Sequence, residues 1–218
     1  NKNDPNALIV SGLVTVGATI LNKSPVTLAN VTPVARLTAE SEVIIVPAAS
    51  PFKSMKDLAA AMKANPGAVS FAGGSAGGTD HILAGLIAKE LGVDPGKVNY
   101  VAFAGGAEAV ASVLGGSVSA GISGYGEFAQ HIKAGRVRAL AVSGGDRVAG
   151  VDIPTLKEQG INVELVNWRG VFGGPGITPA QQKDLIAAVE AGTRNEKWQE
   201  TLKKLDWTPF FLSGDAFK

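Results

Sequence analysis

The chain has 218 residues, 45% of them apolar, enough for one large core or two smaller ones. Its 20 basic and 19 acidic residues nearly cancel, and no basic run or stripe appears, which argues against nucleic acid as the main partner. Cysteine is absent, so disulfides and thiolate catalysis are excluded; His81 and His131 alone supply imidazole, which disfavours a multi-histidine metal site, and no apolar stretch reaches the ~18 residues that span a bilayer.

In chain order, Asn1-Lys2-Asn3-Asp4-Pro5 opens on polar turn residues with no visible leader. Ala7–Val10 and Val43–Val46 are short apolar runs that predict buried strands. Ser54 is the predicted N-cap of a helix to about Lys63, with Leu58 and Met62 four apart on its inner face. Val69–Ala72 predicts a strand. Thr79–Leu91 predicts a helix with Ile82, Leu83, Leu86, Ile87 and Leu91 facing inward. The unit then recurs: strands at Val98–Ala102, Val118–Ile122 and Val137–Val142, separated by helices over about 107–114 and 127–134. Strand, Gly/Ser-rich turn, helix, repeated, predicts βαβ units on a parallel sheet.

The texture changes after Gly144-Gly145. Ile153-Pro154-Thr155-Leu156 predicts a short helix ending near Gly160, and Val163–Val166 a strand running into Asn167-Trp168-Arg169. Thr178-Pro179-Ala180-Gln181 reads as a capping box with proline at the first helical position, opening a helix to about Ala191. A last helix over about 196–205 and a strand over Thr208–Leu212 complete the pattern.

The stretch GGSAGGTDH, Gly73 to His81, matches two catalytic motifs superficially. As a nucleophile elbow it would place Ser75 on a sharp turn with the helix starting at once, but Gly77 and Gly78 intervene and no histidine follows where that fold needs its base. As a phosphate loop it lacks the lysine, having Thr79 and Asp80 instead. What remains is a helix N-terminus with unpaired N–H groups, glycines that let an anion approach, and the hydroxyls of Ser75 and Thr79: a cradle for a carboxylate. Similar turns recur at Ala104-Gly105-Gly106 and Ser123-Gly124-Tyr125. On a parallel sheet all of these turns leave the C-terminal strand ends, where open α/β folds bind ligands. One such turn is as well explained by tight folding; a series sharing one edge favours a site.

Asp80 and Glu108 each fall in a helix's first turn, where a carboxylate complements the dipole whatever its function. Glu108 is taken as structural, and Asp80 as a candidate for a ligand donor. His81 can meet a ligand or bond its own neighbourhood; His131 is placed at the surface. Trp168 and Arg169 either line a cleft, with Arg169 free to grip a carboxylate, or pack internally with Arg169 in a salt bridge.

Taken together, TPVARLTAESEVIIVPAASPFKSMKDLAAAM, FAGGSAGGTDH, YVAFAGGAEAVASVLGGSVSAGISGYGEF, IKAGRVRALAVSG and IPTLKEQGINVELVNWRGVFGGPGITPAQ resemble the extracytoplasmic solute-binding proteins of tripartite tricarboxylate transporters, the Bug or TctC family. The resemblance runs from Ala7 onward. It implies an α/β, two-lobed, periplasmic-binding-protein-like (type II) fold, each lobe a mainly parallel sheet flanked by helices, with a ligand cleft between lobes. Residues 1–47 and 163–218 would form lobe 1, and 48–162 lobe 2. It implies capture of a di- or tricarboxylate or acidic amino acid through loop backbone, hydroxyls and water, which fits the turns read above; the expected ligand-binding set is Ser75, Gly77, Gly78, Thr79, Asp80, Ala104, Gly105, Ser123, Tyr125 and Trp168.

No catalysis, cofactor or metal is implied. The implied partners are a small carboxylate and the membrane components of the transporter, for a monomer without membrane insertion or nucleic-acid binding. The implied place is the periplasm, or a lipid anchor outside a bacterium lacking an outer membrane. Some family members carry serine at the position of Gly78; here the hydroxyl shifts to Thr79. The family also opens with a signal peptide and a strand, Gly-rich loop and helix that this sequence does not contain, so the N-terminal part of lobe 1 is expected to be missing. The rival readings are the effector domain of a regulator, which needs an upstream helix-turn-helix, and a serine hydrolase, which needs a reactive Ser75.

Overall fold

The computed structural model describes residues 2–217, the side chain of Asp215 excepted. Two compact units emerge, one built from the chain up to Glu40 and again from Asn167, the other from Ser41–Val166.

In the second unit, β3 (Ser70–Gly73) pairs in parallel with β4 (Asn99–Ala102) on one side and β5 (Ala120–Gly124) on the other. The long strand β2 (Thr32–Pro47) runs antiparallel between β5 and β6 (Val137–Val142). The order is therefore β4-β3-β5-β2-β6, with β2 alone reversed. The continuous apolar run Val43–Val46 follows from burial on both faces. Ile44 and Val46 join Phe71, Ile122 and Ala141 against α2 (Met55–Ala64) and α3 (Thr79–Glu90). Val43 and Ile45 point the other way, to α4 (Gly106–Leu114) and α5 (Tyr125–Lys133) through Val110, Val113 and Phe128. Period-two alternation along β2 thus supplies two cores at once.

The helix signals act as read. Ser54 accepts from the Asp57 amide and Asp57 reciprocates, closing a capping box on α2. The inner face of α3 is centred on Leu83, Ala84, Ile87 and Ala88, with Ile82 and Leu86 only half-buried; Ala84 and Ala88, small side chains outside the predicted inner face, are fully buried against the core.

Several expectations shift. β5 begins at Ala120 rather than Val118, because Ser119 is tied sideways to Ser70 through both backbone and hydroxyl groups. The short helix before Gly160 is a single 3-10 turn, Lys157–Gln159, stopped by Gly160 in the left-handed region at φ 79°. The strand expected over Val163–Val166 lies further on, as β7 (Val166–Gly173); Ile161 and Val163 are buried in the core without forming a ladder.

In the first unit, β1 (Leu8–Gly12) pairs antiparallel with β7, and β8 (Thr208–Ser213) antiparallel with the first half of β2. The described ladders here are antiparallel; the mainly parallel pattern is that of the second unit. Val34, Ala35 and Val171 pack under α6 (Pro179–Thr193) through Leu185, Ile186 and Val189. Thr178 and Gln181 form the reciprocal cap on α6, and Asn195 caps α7 (Glu196–Lys204). The stretch Leu13–Leu21, silent in the sequence reading, is helix α1. Leu8, Ile9 and Val10 of β1 and Ile20 of α1 are exposed.

Candidate ligand-binding site

Because β3, β4 and β5 run in parallel, the turns that follow them leave one edge of the second unit's sheet. The turns look alike in sequence but differ in what reaches them.

The β3–α3 turn is held from behind. Asp80 Oδ2 accepts the Gly74 N–H at 2.7 Å, and the Tyr100 hydroxyl donates to the Gly74 carbonyl at 2.8 Å. His81 Nδ1 accepts the Gly77 N–H at 3.0 Å, and its ring stacks on Tyr100 with centroids 4.3 Å apart. Gly78 N–H closes onto the Ser75 carbonyl at 2.9 Å. Gly77 lies at φ 79°, a backbone conformation that only glycine adopts without strain. Gly73 has no room for a side chain, since a Cβ there would collide with the Tyr100 hydroxyl and Asp80.

The electrostatics favour these bonds. Burial, then the nearby Asp80 and Glu42 carboxylates, push the Tyr100 phenol above its ordinary range, so it stays protonated and donating. Burial lowers the His81 pKa, which keeps the imidazole neutral and Nδ1 able to accept.

The first intrahelical bond of α3 is made by Ile82 to Gly78, so the Thr79 and His81 amides precede it, as at any helix start. Thr79 is 1% exposed, yet its hydroxyl has no hydrogen-bond partner among the described residues. Ser75 is exposed at the tip. Asp80, a candidate ligand contact from its position, instead spends Oδ2 on Gly74.

The β4–α4 turn carries its own negative charge. Glu108 accepts the Gly105 N–H at 3.1 Å, and Ala104 is exposed beside it. Ser123, at the end of β5, donates its hydroxyl to Glu127 Oε2 at 2.6 Å. That same oxygen lies where a Cβ of Gly106 would stand, against the first residue of α4. Tyr125, the first residue of α5, is buried with its ring in the apolar cluster of Val43, Ala72 and Phe128. A surface groove of about 430 Å³ between α4 and α5 is bordered by Val110, Leu114, Glu127 and His131. His131 is half-buried there rather than fully at the surface.

Trp168 belongs to the first unit, within β7, and meets Phe217 edge-on at 5.9 Å. Arg169 is engaged internally: Nη2 donates to Glu40 at 2.9 Å, and the guanidinium lies over Trp207 at 4.5 Å. The reading of Arg169 as a free carboxylate grip gives way to the salt bridge. The structure brings Ser75, Gly77, Gly78, Thr79 and Asp80 into one turn and sets Ala104, Gly105 and Ser123 around the α4 corner. Tyr100 and Glu127, absent from the sequence-derived set, turn out to shape these places. Neither carries a local signal, because one partner of each lies on a different element. Among the described residues no group of three His, Cys, Asp or Glu is placed to hold a metal.

A sequence model of the tripartite tricarboxylate transporter family receptor matches residues 8–217. The chain belongs to that family. A TctC solute-binding protein from Polaromonas, solved without ligand, superposes with a TM-score of 0.78 at 26% identity, over 100% of this chain and 74% of that one. The UPF0065 protein in the gbd 5' region of Cupriavidus necator is 28% identical over 175 residues, 80% of this chain and 52% of that protein. BugT of Bordetella pertussis is 33% identical over 128 residues, 58% of this chain and 38% of that protein. The matched part is thus about half or less of these two curated relatives. Type II periplasmic binding proteins of the TctC and Bug kind share this α/β fold.

Proposed function

We propose that this TctC-family chain is the ligand-capturing part of an extracytoplasmic solute-binding protein, taking a small organic acid for a tripartite tricarboxylate-type transporter. The observation that carries the reading is the β3–α3 turn: a braced backbone, the start of α3, and a buried Thr79 hydroxyl with no partner among the described residues. Leaving a buried hydroxyl unpaired costs about 1–3 kcal/mol, and a ligand oxygen at the turn would recover it. A carboxylate suits the positive end of the helix dipole. Ser75, Gly77, Gly78 and Thr79 are the proposed contacts, and the site needs no cofactor.

The protein is read as a monomeric receptor outside the cytoplasmic membrane, in the periplasm or on a lipid anchor. No helix among the described residues is long and apolar enough to cross a membrane. Binding without catalysis is supported by His81, whose Nδ1 takes the Gly77 N–H and is not available as a base for Ser75. A fluorophosphonate probe is expected to leave Ser75 unlabelled.

Calorimetry of the full chain against mono-, di- and tricarboxylates and acidic amino acids tests the reading. Saturable heat with at least one member supports it. Silence across the whole panel removes the carboxylate claim.

A further inference from the structure

The α4 corner looks like a second anion cradle in sequence, yet its structure argues the reverse. Its N-terminus faces two carboxylates of its own chain. Glu108 takes the Gly105 N–H. Glu127 lies against Gly106, with Oε2 in the space a side chain would fill. The Ser123 hydroxyl, the donor that a ligand anion would seek here, is already given to Glu127 at 2.6 Å. None of the ion pairs among the described residues involves Glu108 or Glu127; their hydrogen-bond partners are neutral donors, the Gly105 N–H and the Ser123 hydroxyl, at the positive end of the α4 dipole. Glu127 is also exposed, bordering the open groove between α4 and α5, so its other oxygen is within reach of a solute.

We infer that Glu127 is a specificity-determining residue. It makes the α4 corner seek a hydrogen-bond donor, an ammonium or hydroxyl group on the ligand, and repel a carboxylate placed there. The β3–α3 turn, by contrast, takes the ligand's carboxylate. The inference deepens the carboxylate-binding reading and rests on it.

Gly106 follows from the same geometry. Any larger side chain there displaces the carboxylate, so its glycine is the vacancy that Glu127 fills. A charge-assisted hydrogen bond between Glu127 and a ligand ammonium corresponds to roughly tenfold or more in affinity.

The test compares carboxylates that differ only in one substituent: succinate, malate and aspartate, and glutarate against glutamate. Each is titrated calorimetrically into the full chain and into Glu127→Gln, which removes the charge but keeps the shape and an acceptor for Ser123. Thermal unfolding of both proteins runs alongside. The expected result is that the unsubstituted acids bind the wild type about tenfold or more weakly than their substituted partners. In Glu127→Gln that gap narrows, most for the ammonium compounds, while the unfolding temperature stays close to that of the wild type. Retention of the full gap in the variant overturns the inference. So does an equal weakening of every ligand, which marks Glu127 as structural. If the wild type binds none of these acids nor any other carboxylate, the underlying reading falls and the inference with it; binding without a change in the gap removes the inference alone.

Discussion

Two turns on one sheet edge, β3–α3 and β4–α4, have nearly the same local sequence character and opposite chemistry. Both are Gly-rich, and both carry an acid in the first turn of the following helix, Asp80 and Glu108. The first is held in shape by Tyr100 and His81 and leaves the Thr79 hydroxyl with no partner among the described residues. The second receives Glu127 from α5 and surrenders the Ser123 hydroxyl to it. The lesson is that a glycine turn at a helix start has no fixed ligand preference. Side chains arriving from other elements decide whether it presents donors or charge.

The largest break in this comparison comes from filling Gly73. A valine there must displace the Tyr100 hydroxyl and Asp80 together, and overpacking of this kind costs about 1–3 kcal/mol. Gly73→Val should lower the unfolding free energy by about that amount in urea titration and abolish carboxylate binding.

Asp80→Ala leaves the Gly74 N–H without its acceptor, at a cost of about 1–3 kcal/mol. Glu108→Ala, on the exposed counterpart, removes a first-turn charge worth only ~0.3–1 kcal/mol. A urea-denaturation pair sharpens the contrast: similar losses from the two substitutions would mean the turns are not differently built. Tyr100→Phe deletes one hydrogen bond while keeping the stack on His81, so a loss of about 1 kcal/mol is expected, with weaker ligand binding.

The smallest effect is one of pH. Burial holds the His81 pKa below its ordinary 6.5, so the unfolded chain binds the proton more readily than the folded one. Stability therefore rises with pH through this window: the contribution is fully present above about 6.5 and is lost as pH falls below it. The unfolding temperature should drop between about pH 7.5 and about pH 5.5, and the drop should be shallower in His81→Phe.

Much of the fold was legible because local pattern and tertiary role coincide. Val43–Val46 reads as a doubly buried strand and is one, and Ser54 and Thr178 cap the helices they precede. The full length of β2 was not legible. Its first part, TPVARLTAESE, carries Arg36, Glu40 and Glu42, and the sequence does not show that Arg169 pairs with Glu40 or that Glu42 is wholly buried. Leu13–Leu21 is rich in β-branched residues yet helical. At the candidate site, the loop residues Ser75 to Thr79 could be named from glycine spacing alone. Their brace could not, since Tyr100 reaches Gly74 from another strand, 26 residues away. Tyr125 illustrates the reverse error source: a tyrosine after a Gly/Ser turn invites a ligand role, but its ring is placed in the core.

The central claim, that the start of α3 receives the ligand's carboxylate, is tested most directly by amide chemical-shift mapping of the full chain during titration with a carboxylate that binds. The account predicts that the largest shifts fall on the amides of residues 75–81, with the Thr79 hydroxyl becoming protected from exchange. Shifts centred on Gly105 to Glu108, with residues 75–81 unmoved, would contradict it.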